Sequence, residues 1–188
     1  MGCATKEISW APSDKVLLAK YKNNEPSSVT LLTMINNHTG VGGHSALLIN
    51  ATERLLFDPA GTFVHPQIPE RHDVLFGIND AAFERYVDYH ARPSIHVVIQ
   101  KLEVDLKLAE DISKEVQTYG PVQNMMCSFA ISEILSKHNR FKDLPKTLFP
   151  KNTMENFAKL DATETTIIYD YIEDDKSNIF LEKQSPKK

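Results

Sequence analysis

No stretch of the 188-residue chain holds some 18 consecutive apolar residues, so nothing in it reads as a membrane-spanning helix. Cysteine is scarce. Cys3 and Cys127 stand far apart in sequence, which excludes a disulfide framework, and no CxxC, HExxH or comparable spacing of ligands suggests a zinc site. Basic charge is not in excess either: 21 Lys and Arg face 25 Asp and Glu, for a net charge of −4. A nucleic-acid binder usually carries a basic patch or stripe. The one basic cluster here, Lys183 with Lys187 and Lys188, reads as a solvated tail end, so no nucleic-acid partner is expected. Repeats and low-complexity blocks are also missing. What remains is a chain of 41% hydrophobic and 24% charged residues, enough to bury a core in one ordinary domain.

Residues 1–28 are polar and broken by Asn23, Asn24 and Pro26, and read as an N-terminal arm. Residues 29–35 (VTLLTMI), 44–49 (HSALLI) and 54–57 (RLLF) have the length and composition of strands, and residues 50–53 are short enough to close a hairpin between the last two. Residues 36–43 (NNHTGVGG) form a turn cluster, and residues 58–80, with three prolines and two glycines, read mainly as loop. Helical periodicity marks residues 80–90, 106–119, 124–138 and 152–160, the last with Asn152 or Thr153 as N-cap. Residues 95–104 and 165–172 read as further strands, and residues 173–188 as a charged tail. Helices and strands cluster rather than alternate. The expected class is α+β, an antiparallel sheet packed against helices, with the domain proper at residues 29–172.

Each thiol needs its own explanation. Met1-Gly2-Cys3-Ala4-Thr5, a small residue followed by Cys and then a polar stretch, resembles the start of a mature bacterial lipoprotein, with Met1 in place of the removed signal. Attachment to a membrane through lipidated Cys3, in the bacterial cell envelope, is the expectation. The rival, myristoylation, wants Ser or Thr at position 6 and finds Lys6.

Cys127 follows the turn signal Gly120-Pro121 by a few residues and so falls in or beside the first turn of a helix. Unpaired N–H groups and the positive end of the helix dipole favour a thiolate there, and could contribute to an oxyanion hole. A lone cysteine among Met and Phe is more often a small buried hydrophobe. The hairpin supplies the second half of the chemistry. If Asn50, Ala51 and Thr52 form its turn, Ile49 faces Glu53, Ser45 faces Phe57 and His44 faces Asp58. A carboxylate beside an imidazole orients it and stabilises its charged form. His65 competes for the third role, since it follows Asp58 closely. His90 and His138 sit near helix C-termini, where a cation is favoured.

Taken together, His44-Ser45-Ala46-Leu47-Leu48-Ile49, then Phe57-Asp58-Pro59-Ala60-Gly61, then Met126-Cys127-Ser128 opening a helix resemble the circularly permuted branch of the NlpC/P60 (papain-like) superfamily. That branch includes YiiX-like proteins and the lecithin:retinol acyltransferase group. In ordinary NlpC/P60 enzymes the Cys helix precedes the His strand; here, as in the permuted branch, the His strand comes first. The layout matches over roughly residues 29–160, and the specificity lies in the short motifs. The resemblance implies Cys127 as nucleophile, His44 as general base and Asp58 as third member, where the family often has His, Glu, Gln or Asn. Tyr119 or Gln123 would assist the oxyanion.

The expected activity is that of a cysteine peptidase or amidase, on cell-wall peptides, working through a thioester and needing no cofactor or metal. The substrate is then a peptide, amide or acyl compound. A lipid acyltransferase or thiol esterase of the same fold is the first alternative. The second is a non-catalytic envelope module whose binding surface is residues 37–43 with residues 58–80. A metal hydrolase built on His38, His44, Asp58 and His65 is a third.

Overall fold

The computed structural model describes residues 9–170; Cys3 and the charged tail lie outside the described residues. Seven antiparallel strands form one sheet in the order β4-β5-β3-β2-β1-β6-β7. Its centre is β1 (Ser28–Asn36), flanked by β2 (Gly42–Asn50) and β6 (Ile95–Glu103). β3 (Arg54–Phe57), β5 (Val74–Leu75) and β4 (Glu70–Arg71) extend one side, and β7 (Glu164–Ile168) closes the other. The α+β class with an antiparallel sheet is therefore as expected from the chain's patterning.

Helices cover both faces, which is why β1 is a continuous apolar run rather than an alternating one. On one face Leu31, Leu47, Ile49 and Phe57 pack with Ile112 and Val116 of α3 (Leu106–Tyr119), Ile131 and Ile134 of α4 (Cys127–Ser136), and Phe157 of α5 (Pro150–Phe157). On the other, Leu32, Met34, Ala46, Leu48 and Leu56 pack with Tyr86 and Val87 of α2 (Asp80–His90). Asn79 caps α2 by accepting from the Ala82 N–H, and Asp105 caps α3 through the Leu108 N–H, so both helices start where the periodicity places them.

Three local features depart from the sequence reading. The segment before β1 contains α1 (Ser13–Ala19), whose one buried residue is Val16, and it pairs with residues 70–72 through Ala11 N–H to Glu70 O at 2.9 Å and His72 N–H to Ser9 O at 2.8 Å. α5 begins at Pro150 rather than at residue 152. Phe149 occupies the cap position with no side-chain cap bond, and Pro150, which has no N–H to satisfy, starts the helix, so neither Asn152 nor Thr153 is the N-cap. In the stretch read as loop, residues 70–75 fold back as the short strands β4 and β5.

The β2–β3 register also differs. The turn is three residues long, as expected, but it is Ala51-Thr52-Glu53, so Asn50 pairs with Arg54 and Leu47, not Ser45, faces Phe57. The displacement is two residues on one strand. Because side chains alternate with period two, every residue keeps its expected face. His44 and Asp58 thus share the α2 face, displaced diagonally instead of directly opposed.

Candidate active site

Two backbone irregularities aim His44. Met34 pairs with His44 while Ile35 pairs with Gly42, so Gly43 is the extra residue of a β-bulge immediately before the histidine. Gly42 lets α5 approach: a Cβ there would lie 2.6 Å from Lys151 N and 2.9 Å from Pro150 Cβ. The Gly-Gly pair before His44 is thus required by packing on one residue and by the bulge on the next.

Asp58 follows the last residue of β3 and enters the turn Asp58-Pro59-Ala60-Gly61, closed by Gly61 N–H to Asp58 O at 2.9 Å. Ala60 adopts a left-handed φ of 56°, an uncommon conformation for a residue with a Cβ. The buried carboxylate accepts from His44 Nε2 at 2.6 Å and from the Tyr86 hydroxyl at 2.6 Å, both on Oδ1. A Cβ at Gly61 would stand 1.8 Å from Asp58 Oδ2. Gly61→Ala is therefore expected to push the carboxylate off His44 and to destabilise the fold by about 1–3 kcal/mol, read as a lower urea midpoint.

Cys127 opens α4, which belongs to the opposite layer. β3 ends opposite Leu47, so beyond that point β2 has no strand partner on this side, and the Ser45 N–H there meets the Cys127 thiol. The Ser128 N–H and His44 also contact it. Burial alone would raise the thiol pKa, but His44 and these two N–H groups outweigh it and hold Cys127 below the ordinary thiol value. As the first residue of α4, Cys127 carries one of the N–H groups that the helix's own ladder does not use, and such a group can face an oxyanion.

The charge balance follows from the same contacts. Burial would lower the His44 pKa; the Asp58 carboxylate and the Cys127 thiol overcome it and raise it to about 10. Burial likewise opposes charge on Asp58, yet His44 and the Tyr86 hydroxyl hold its pKa below the usual carboxylate range. Tyr86, buried against that carboxylate, keeps its proton far above the ordinary phenol range and acts as donor. With Nε2 engaged by Asp58, Nδ1 is the His44 nitrogen left for the thiol. His44 thus links the Asp58 carboxylate to the Cys127 thiol, with exposure of 18% at the His44 side chain, 6% at Cys127 and 2% at Asp58.

The other candidates are placed elsewhere. His65 Nδ1 accepts from the Gln67 N–H at 3.1 Å and its Nε2 meets Arg85 at 2.8 Å, so Asp58 and not His65 contacts His44. The Tyr119 hydroxyl donates to Glu133 at 2.8 Å and its ring meets the edge of Phe57, which takes it away from an oxyanion role. Gln123 is exposed in the turn before α4, where its carbonyl accepts the Met126 N–H at 3.1 Å. His90 is not the helix-terminal cation expected: burial drives its pKa down to about 4, and its Nδ1 donates to Tyr86 O at 2.9 Å. Its ring stacks on His44 with centroids 5.8 Å apart. Among the described residues no group of three His, Cys, Asp or Glu is spaced to hold a metal ion.

Sequence reasoning gave no site role to Tyr86 or Asp73, read His90 only as a helix-terminal cation and named Gly61 only within a motif. Tyr86 and His90 stand four apart on α2, a spacing that puts both on one face and could have signalled them. Asp73 ties two parts of the site: its carbonyl accepts the Asp58 N–H at 2.7 Å, and its carboxylate accepts the Val122 N–H at 2.7 Å, in the turn leading to Cys127.

Fold and site together define an α+β protein in which a partly buried imidazole on β2 joins a buried carboxylate to a buried thiol. Compared with known protein families, curated proteins and solved structures, the chain finds no match.

Proposed function

We propose that the protein is a cysteine-nucleophile hydrolase or acyltransferase of the permuted papain-like kind. The observation that carries this reading is His44 held between the Asp58 carboxylate at 2.6 Å and the Cys127 thiol at the first residue of α4. The thiolate adds to the carbonyl carbon of an amide or ester, and the oxygen takes up negative charge facing the N–H groups at the start of α4. Collapse breaks the bond to the leaving group, which takes the His44 proton, and leaves a thioester on Cys127. His44, now neutral, removes a proton from water or another acceptor as it attacks the thioester, and the thiolate is restored. Asp58 keeps the ring oriented and its charged form favourable throughout.

With water as acceptor the enzyme is a peptidase or amidase, and cell-wall peptides are the proposed substrates, in keeping with a lipid-anchored envelope protein. With an amine or alcohol it is an acyltransferase. Chemistry at Cys127 is testable without a substrate. Iodoacetamide is expected to label Cys127 at pH 7 faster than it labels a thiol of ordinary pKa, about 8.5, because His44 and the two N–H groups lower the pH at which the thiolate forms. A rate that only rises through pH 8–9, measured by mass spectrometry of the labelled peptide, would reduce Cys127 to a core residue and leave the non-catalytic reading.

A further inference from the structure

We propose that Arg92 is a specificity-determining residue that binds an anionic group of the acyl substrate in the cleft beside His44. The proposal rests on the reading of Cys127 and His44 as the reacting pair and names the substrate class they serve.

A cleft of about 510 Å³ opens next to His44, large enough for one or two residues of a peptide-sized ligand. Arg92 is the cationic group on its wall whose charge is not already matched, since His44 is held between Asp58 and Cys127, and no Asp or Glu lines the cleft. Asp58, behind His44, is buried and already committed to His44 and Tyr86. The chain as a whole carries a net charge of −4, so the Arg92 charge on this wall runs against the protein's own balance. His90, whose pKa is about 4, adds no charge at neutral pH.

An exposed arginine is usually a solvated one, but this side chain is held. Its Nε donates to Tyr89 O at 3.1 Å and its guanidinium lies 5.2 Å from the centre of the Tyr89 ring. These contacts fix the stem and leave the two terminal nitrogens without a partner among the described residues. Asn36 points the same way chemically. Its Oδ1 accepts from the His38 N–H, the Thr39 N–H and the Thr39 hydroxyl, so only its amide N–H groups remain to offer the cleft. The wall therefore presents the Arg92 charge and the Asn36 amide donors with no carboxylate beside them, the complement of a carboxylate or phosphoryl group.

Iodoacetate and iodoacetamide differ by a carboxylate in place of a carboxamide, and both report at Cys127. In Arg92→Gln the iodoacetate rate is expected to fall about fivefold against the wild type, the size of a partly screened charge contact, while the iodoacetamide rate changes less than about twofold. An unchanged ratio of the two rates would overturn the role of Arg92. The iodoacetamide rate by itself judges Cys127, so failure of the thiol reading and failure of this one are separable. Glutarate and inorganic phosphate, added separately in millimolar amounts, identify the oxyanion: protection against iodoacetate by one of them, lost in Arg92→Gln, supports the site and names its chemistry. Protection by neither counts against it.

Discussion

Cys127→Ala is expected to abolish acyl transfer, by a factor on the order of 10⁴–10⁶, and to leave the protein folded. Loss of a nucleophile removes the covalent route entirely, and what survives is whatever binding and oxyanion stabilisation supply alone. The stability cost is small because one sulfur atom leaves a small void at the start of α4, and its 6% exposure lets solvent relax there. The change in urea midpoint is expected to correspond to less than about 1.5 kcal/mol. Full activity in Cys127→Ala on any substrate the wild type cleaves would end the covalent proposal, and a fold lost along with activity would be seen in the same denaturation curve.

Asp58→Asn is expected to separate orientation from charge. The amide oxygen of the new side chain can still accept from Tyr86, so packing is retained, but the negative charge that holds the His44 proton is gone. Burial then dominates and the His44 pKa falls from about 10. Without an imidazolium beside it, the Cys127 thiol loses the main group that lowers its pKa, and alkylation at pH 7 is expected to slow by about tenfold.

The stability of this variant relative to the wild type should depend on pH in a defined way. His44 holds its proton more tightly folded than unfolded, so its stabilising contribution is complete below about pH 6.5 and is lost as pH rises toward about 10. Asp58 has a lowered folded pKa, so its contribution is complete above about pH 4 and is lost on acidification. Both hold between about pH 4 and 6.5. Urea denaturation is expected to show the largest difference there, about 3 kcal/mol, shrinking by pH 10. A difference that is flat from pH 5 to 10 would show that Asp58 does not carry the charge assigned to it.

The helices α2 and α3 were legible to within a residue because each has a strong apolar stripe, an acidic or amide N-cap and a clear terminator. The central strands were legible as apolar runs. Their register was harder, since sequence alone does not say which three residues of a four-residue link form the turn. The expectation for His44 and Asp58 nevertheless survived the two-residue displacement, because an even displacement preserves the face. β4 and β5, two residues each, carry no periodicity to read. α5 was misplaced because the strongest cue, a polar N-cap, is unused there. The supporting residues were hidden for a different reason. Nothing local announces that Gly61 must yield space to a carboxylate three residues earlier, or that Asp73 reaches the turn before α4. The Asp73 role exists only once distant segments are brought together, and the Gly61 role only once the turn has fixed the carboxylate above it.

Asp73 has a bearing on motion. His44 on β2 and Cys127 at the start of α4 come from different layers, and independent fluctuation of the two would break the thiol–imidazole contact. Joined through one aspartate, the end of β3 and the turn before α4 are set to drift in step, so the separation between the reacting groups varies less than the position of either.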